Sequence, residues 1–426
     1  MLRLQSLIKF HTMKHLLSIF ILILSIVDTN GQKAITITEF LAKSNQQETV
    51  NLQLRKIEYL NTLSYGLPLV EKLEFRTETN DFDWKKQEYI LRVSPNSFRN
   101  IKTNRQYQQT VQNMTKMELE EALGQALRDR YDLIVSYIYS KKILASRNKQ
   151  KILLDDKVTM LKRSSSLPDF DVLDLIESED EVQNNLHDIL DLKHQIMTLE
   201  KIFQRMNKSD SIVHIDKGNI ISVHEVREFL DNQQLSETIN HSRLEVLSAK
   251  MYKNMLEYEW EAAKSKFSLG FVQAKYGYDP QDPFRKSFSI GIGFDIPLKN
   301  SGRLELNELE INIIESESEY SKAKNQLINE NYSLNQKLNN AIEKYELVKE
   351  HLSGSRAEFA LKEYGKIAEA SPKALLKLRE NTLKNELLLD QLEEEIMYLF
   401  IEYLDCSGMI NKKPFRNYLS KDLELF

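Results

Sequence analysis

The stretch SFSIGIGFDIPLKNSGR, residues 287–303, decides the fold class of this chain. From position 288 onward, large apolar residues alternate with small or polar ones. A period of two is that of a β-strand, because successive side chains of a strand point to opposite faces. The apolar set is Phe288, Ile290, Ile292, Phe294 and Ile296, and the other set is Ser289, Gly291, Gly293 and Asp295. The stretch therefore predicts a strand with one wholly apolar face.

A second strand is predicted just upstream, where the same alternation recurs. Its apolar side is Phe267, Leu269 and Phe271, and its polar side is Ser268 and Gly270. A turn-rich loop over residues 275–286 connects the two strands into a β-hairpin over 266–298. Because a two-stranded sheet is not stable alone, the hairpin needs strands from the other half of the chain and from other copies.

Long helices are predicted on both sides of this hairpin. The chain has 8 prolines and 12 glycines in 426 residues, which is well below average usage. No proline lies between Pro95 and Pro168, or between Pro297 and Pro372, so each interval can hold a helix about 100 Å long. In the second interval apolar residues follow steps of three and four, which predicts helices packed lengthwise. That set is Tyr320, Ala323, Leu327, Leu334, Leu338, Ala341, Tyr345, Val348 and Leu352.

The two halves of the chain follow one plan, offset by about 200 residues, which indicates an internal duplication. Pro95 and Pro297 each end a strand-like run, and a similar short helix start follows each long helix. We predict a signal peptide over 1–31, a first repeat over 32–210, a connector over 211–224, a second repeat over 225–412 and a C-terminal tail over 413–426. After an opening helix, the first repeat contains a hairpin over 67–95, a long helix over 100–164 and a helix over 169–207. The second repeat likewise contains the hairpin over 266–298, a long helix over 303–368 and a helix over 372–406.

The N-terminus has the features of an export signal. Met13, Lys14 and His15 form a basic start, residues 16–27 form an apolar core, and small residues near Gly31 suit cleavage. A signal peptide that starts at Met13 fits this pattern better than one that starts at Met1. The apolar core is too short to cross a bilayer, which takes about 20 residues. The alternative interpretation is that this N-terminal segment is a membrane anchor.

Composition and motifs predict no enzyme. Cys406 is the only cysteine, so no disulfide can form within the chain. The histidines are scattered, and no phosphate-binding loop, nucleophile elbow or dinucleotide fingerprint occurs. A net charge of −5 does not suggest a nucleic-acid partner. We therefore expect no catalytic residues, no metal and no cofactor, and an exported enzyme is the weakest hypothesis.

At this point the chain resembles the TolC-like outer membrane efflux proteins. The resemblance covers nearly the whole mature chain. Its most telling part is the passage from strand to helix, where Pro297 and Leu298 precede Gly302 and Arg303. A second similarity is DFDVLDLIESEDEV, residues 169–182, which is similar to the family helix that begins after the periplasmic tip.

This resemblance implies a homotrimer in the outer membrane of a Gram-negative bacterium. Each chain would give four strands to a shared twelve-stranded transmembrane β-barrel, and the long helices would form an α-helical tunnel across the periplasm. Such a channel works with a periplasmic adaptor and an inner-membrane transporter in efflux or type I-like secretion. In that barrel the apolar strand sets would face outer-membrane lipid, and the small and polar sets would line the lumen.

The resemblance also places a periplasmic tip at the two turns that follow the long helices. The candidate tip residues are Arg163, Ser165, Leu167 and Asp171 in the first turn and Gly365, Lys366, Ala368 and Ser371 in the second. Family members usually carry a glycine in each turn. Here the first turn has none, and Gly365 stands early in the second.

The first hairpin carries a thinner apolar band than the second. One strand offers Leu69, Leu73 and Phe75 with Glu71 among them, and the return strand offers Tyr89, Leu91 and Val93. An alternative function is therefore a soluble periplasmic coiled-coil scaffold or adaptor, in which the hairpins pack into a small domain without a membrane barrel.

Overall fold

A computed structural model describes most of the chain. The described residues are 34–63, 66–79, 87–166, 170–208, 212–213, 219–232, 241–264, 268–277, 288–296, 303–353, 363 and 372–426. The predicted signal peptide over 1–31 lies outside them.

The first half contains a β-hairpin followed by a helical hairpin. Its elements are β1 (Ala34–Ile35), α1 (Ile37–Ala42), α2 (Glu48–Thr62), β2 (Val70–Thr79), β3 (Gln87–Pro95), α3 (Phe98–Arg163) and α4 (Val172–Asn207). Helix α3 has 66 residues, about 100 Å at 1.5 Å per residue. It begins two positions before the predicted start at 100, because the Ser97 side chain accepts a hydrogen bond from the Asn100 backbone N–H at 3.1 Å.

The second half repeats this order. Its elements are β4 (Ile212–Val213), α5 (Val223–Asn232), α6 (Ser242–Lys264), β5 (Ser268–Gly277), β6 (Phe288–Asp295), α7 (Arg303–Ser353) and α8 (Pro372–Cys406). The part of the predicted long helix beyond position 353 lies almost entirely outside the described residues. Among the described residues, no helix has both the length and the apolar character needed to cross a bilayer.

Helix α3 lies at the centre of the helical layer. It packs against α2 and α4 on the side of the first half and against α6 and α8 on the side of the second half, and α7 packs against α6 and α8 in turn. The layer therefore has α2 and α4 along one edge and α7 along the other.

The heptad seam predicted on the second long helix is its buried face. Ala323, Leu327, Leu338, Ala341 and Tyr345 are all buried. The first two form a cluster with a leucine of α6 and the cysteine that ends α8. The steps of three and four therefore identified the side of α7 that packs within the chain.

The main core lies where helices of both halves meet the chain termini. Phe40 and Tyr137 each pack edge-on against Phe203, with ring centroids 5.0 and 5.2 Å apart. The C-terminal segment over 413–426 joins this core. The Tyr131 hydroxyl donates to the Arg416 carbonyl at 2.6 Å and accepts from the Tyr418 backbone N–H at 3.1 Å. Each large apolar side chain fully buried here contributes about 1.5–3 kcal/mol.

The four long strands form one antiparallel sheet in the order β2-β3-β5-β6. The junction between β3 and β5 joins the two halves of the chain, so the hairpins do not form separate sheets. Strands β2 and β6 are the edges of the described sheet. The predicted combination of long helical hairpins with a four-stranded β part is confirmed.

Candidate functional site

The register of the four strands sorts their side chains onto two faces. Residues directly opposite each other in antiparallel strands point to the same side of the sheet. One row across all four strands is Leu73, Val93, Val272 and Ile292, and the next is Phe75, Leu91, Ala274 and Ile290. A further row contains Thr77, Tyr89, Tyr276 and Phe288. These rows, with Leu269 and Phe294, form what we call the apolar face.

The apolar face is exposed across its whole width. Leu73 and Phe75 on one edge strand are 65% and 66% exposed, and Ile290 and Ile292 on the other are 70% and 60% exposed. Single exposed apolar residues are ordinary, but a contiguous patch marks a surface that meets lipid or another protein. The apolar band of the first hairpin, thin by itself, thus continues that of the second.

The strands suit the thickness of a bilayer. They have 10, 9, 10 and 8 residues in chain order. A strand that crosses a bilayer at a tilt needs about 9–11 residues. The strand lengths and the exposed apolar face therefore both match the dimensions and polarity of a bilayer.

Two predicted face assignments are wrong. In β2 the register shifts between Val70 and Lys72, which puts Val70 rather than Leu69 on the apolar face.

The other wrong assignment concerns β5. Leu269 pairs with Phe294, but Phe271 pairs with Gly293, and the register shifts between the two pairs. Gly270 is the additional residue of a β-bulge, which reverses the alternation beyond it. Phe271 therefore lies on the opposite face from Leu269, and Val272 takes its place on the apolar face.

The bulge also explains why the sequence pattern did not reveal some residues of the apolar face. Strand β5 continues to Gly277, into the region predicted as a loop from position 275. Its second half alternates as before, but in the other phase, with Val272, Ala274 and Tyr276 on the apolar face. The alternation was visible in the sequence, but the phase change at Gly270 concealed it.

The opposite face, which we call the polar face, contains the glycines of β6. A β-carbon on Gly293 would lie 2.2 Å from Cε1 of Phe271, and one on Gly291 would lie 3.1 Å from Cγ of Gln273. The absence of side chains on β6 thus makes room for those of β5. The other predicted members of this face, Ser268, Gly270, Ser289 and Asp295, do lie here by register or proximity.

Ion pairs connect the strands across the polar face. Glu74 contacts the ammonium group of Lys72, Nη2 of Arg76 at 3.2 Å and Nη1 of Arg92 at 3.7 Å. The Arg92 guanidinium also donates to Oε1 of Gln273 at 3.0 Å and lies 4.1 Å from the centroid of the Phe271 ring. The polar face therefore carries charged and hydrogen-bonded side chains, which suit contact with water.

Of the predicted strand-to-helix turn, only Arg303 is described, as the first residue of α7. Pro297, Leu298 and Gly302 lie outside the described residues, as does Phe267. Ile296 follows β6 directly and is 74% exposed.

The helix ends that follow the two tip turns lie in contact. Asp171 caps α4 by accepting a hydrogen bond from the Leu173 backbone N–H at 2.9 Å. Asp174, in the first turn of α4, is hydrogen-bonded to Lys373 at the start of α8. That hydrogen bond lowers the pKa of the Asp174 carboxyl from its ordinary value. The contact brings the starts of α4 and α8 to the same end of the molecule.

Three of the predicted tip residues, Arg163, Ser165 and Asp171, lie where a partner could reach them. Arg163 ends α3, and Ser165 lies in the short 3₁₀ turn Ser164–Ser166; both are exposed. Leu167, Gly365, Lys366, Ala368 and Ser371 lie outside the described residues.

The described residues contain no cluster of three or more His, Cys, Asp or Glu side chains that could hold a metal ion. A groove of about 530 Å³ between α3, α6, α7 and α8 is lined by polar residues that include Arg128, Glu402 and Asp405. Two of its carboxylates pair with Arg128, at 2.6 Å for Asp405 and 3.3 Å for Glu402. The groove therefore contains an ion-pair network centred on Arg128.

Solved outer membrane channels have this fold. The chain matches the outer membrane protein VceC of Vibrio cholerae with a TM-score of 0.61 and 11% identity, over 87% of this chain and 96% of that one. It matches the MtrE channel of Neisseria gonorrhoeae, in its open state, with a TM-score of 0.64 and 7% identity, over 87% and 88%. It matches the CmeC channel of Campylobacter jejuni with a TM-score of 0.58 and 10% identity, over 87% and 85%.

No protein-family model and no curated protein sequence matches the chain. The structural likeness, at such low identity, establishes the fold. The fold is that of these outer membrane channels, and the TolC-like architecture expected from the sequence is confirmed.

Proposed function

We propose that this protein is one subunit of a trimeric export channel in the outer membrane of a Gram-negative bacterium. The observation that carries the proposal is the apolar face, which is continuous over four strands in a chain with the fold of outer membrane channels. In this assignment the apolar face meets lipid and the polar face lines a water-filled lumen, the alternation typical of membrane barrels. A soluble scaffold would have to cover the apolar face with other protein.

The edges of the sheet support assembly with other copies. Strands β2 and β6 each leave one side without a strand partner among the described residues. Exposed edges of this length promote aggregation unless another strand pairs with them. Pairing β6 of one copy with β2 of the next would close three sheets of four strands into a twelve-stranded barrel, which has no free edge.

The edges of the helical layer carry matching apolar stripes. On α7, exposed apolar side chains recur on the side away from its buried seam: Leu304, Ile311, Ile314, Ile328 and Tyr332. On the other edge, exposed apolar residues of α2 and α4 also recur at heptad spacing: Leu52 and Tyr59, and Leu190 and Met197. Such stripes suit lengthwise packing of α7 of one copy against α2 and α4 of the next.

Fractionation and chemical cross-linking of cells that express the protein would test this assembly. We expect the protein in the outer-membrane fraction as a cross-linked trimer. Recovery as a soluble monomer from a periplasmic extract would contradict the channel and favour the periplasmic scaffold.

The partners of the proposed channel are a periplasmic adaptor at the tip and an inner-membrane transporter that supplies the energy. Exposure of Arg163 and Ser165 at the tip end supports docking there. A cross-linker attached at Ser165→Cys, in a Cys406→Ser background, should capture a different protein, the proposed adaptor. Lys337→Cys, exposed midway along α7, is the matched control. Capture from position 337 but never from position 165 would contradict docking at the tip.

A further inference from the structure

The charged side chains of the polar face are sorted by level along the strands. Strand register places Lys72 opposite Ser94, Glu74 opposite Arg92, and Arg76 opposite Ile90. At the end far from the helices, Glu78 lies opposite Glu88. The middle of the face is thus rich in cations, and the outer end is rich in carboxylates.

Ion pairing does not cancel the charge in the middle of the face. Lys275 is compensated by Glu88, whose Oε2 lies 2.5 Å from its ammonium nitrogen. The remaining cations, Lys72, Arg76 and Arg92, share the single carboxylate of Glu74. We call these four residues the cationic cluster, and its net charge is two positive charges per chain. Asp295 lies at the helix end of β6, which in the proposed barrel would pair with β2 of the next copy. In strand register Asp295 stands nearer the helices than the row of Lys72 does.

The cationic side chains of this cluster are more exposed to solvent than its carboxylate is. The side chains of Lys72 and Arg76 are 64% and 50% exposed, and that of Arg92 is 25% exposed. The Glu74 side chain is only 16% exposed because the three cations surround it. An ion in the adjacent water therefore approaches ammonium and guanidinium groups first.

We propose that the cationic cluster is the charge-selective element of the lumen at the level of the sheet, and that it favours anionic solutes over cationic ones. This inference rests on the proposed function, in which the polar face lines the lumen. Three copies would place six net positive charges on the lumen wall, over the neighbouring rows of Lys72, Glu74 and Arg76. Rings of Arg and Lys select anions in pores, because low-dielectric walls focus the field of the ring into the water.

The test is the reversal potential of the purified protein in a planar lipid bilayer across a KCl gradient. The double substitution Lys72→Gln and Arg76→Gln removes the net positive charge of the cluster and should lower the chloride-to-potassium permeability ratio by about twofold or more. Glu74→Gln should raise that ratio. If removal of the cations and removal of the carboxylate shift the permeability ratio in opposite directions, the cluster is the source of the selectivity. A charge elsewhere in the channel is the same in every variant and would not produce this difference.

Arg76→Lys is the matched control, since it retains the charge and should leave the ratio as in the wild type. An oligomer band on a detergent gel would verify that each variant assembles. If the double variant does not assemble, the single substitutions Lys72→Gln and Arg76→Gln are measured in its place. Unchanged ratios, or shifts of one sign in both charge variants, would overturn the proposed selectivity while the channel stands. Absence of any pore current from the wild-type protein would overturn both the channel and the selectivity.

Discussion

Substitution of Ile292 by arginine tests whether the apolar face meets lipid. Ile292 is central in β6, its side chain is 60% exposed, and it pairs with Val272 on the apolar face. An arginine at the bilayer midplane costs about 2–4 kcal/mol per copy, a factor of about 30 to 700 in an equilibrium constant. Three copies would cost about 6–12 kcal/mol, which rivals the total stability of an ordinary domain.

Ser289→Arg is the matched control on the same strand. Ser289 lies on the polar face opposite Lys275, whose charge Glu88 already compensates. The added like charge should therefore cost less than about 1 kcal/mol. Gly293→Arg would not serve, because its β-carbon would lie 2.2 Å from the Phe271 ring whatever the solvent.

The assay is the amount of trimer in the outer-membrane fraction, resolved on a detergent gel without boiling and divided by the total protein in the cells. We expect Ile292→Arg to abolish the trimer and Ser289→Arg to leave most of it. Equal losses from the two substitutions, or a greater loss from Ser289→Arg, would refute the assignment of lipid and lumen to the two faces.

Three further predictions concern packing and charge. Gly293→Ala should destabilise the assembly by about 1–3 kcal/mol by overpacking, and Phe271→Ala in the same chain should recover part of the loss in a denaturant titration. Cys406 is buried, and burial raises the pKa of its thiol to about 12, so maleimide should label it only in unfolded protein; fast labelling of folded protein would contradict this. Burial lowers the pKa of Lys142, but hydrogen bonding and attraction to Glu393 outweigh it and leave the pKa above 10.5. Between about pH 7 and pH 10.5, Lys142→Met should therefore destabilise the protein to a constant extent, because the ammonium group stays charged there. The urea midpoints of the two proteins should converge as pH rises further, since the wild-type contribution is lost there.

Local periodicity was enough to predict strand β6 and the buried face of the second long helix. The alternation from Phe288 to Ile296 predicted a strand because side-chain direction in a strand depends only on the local backbone. The steps of three and four on the second long helix predicted its buried face for the same reason, and Ala323 and Leu338 are indeed buried. The absence of proline over each long interval allowed the long helices.

The tertiary structure alone decided how those elements combine. One inserted residue, Gly270, moved Phe271 to the polar face and Val272 to the apolar one. The pairing of β3 with β5 joined two hairpins and placed Arg92 beside Gln273, although the sequence suggested only a thin apolar band in the first hairpin. The contact between Asp174 and Lys373 likewise joins helix starts that are far apart in the chain. Register, bulge position and ion pairing depend on the packing of distant segments against one another, which local side-chain patterns do not encode.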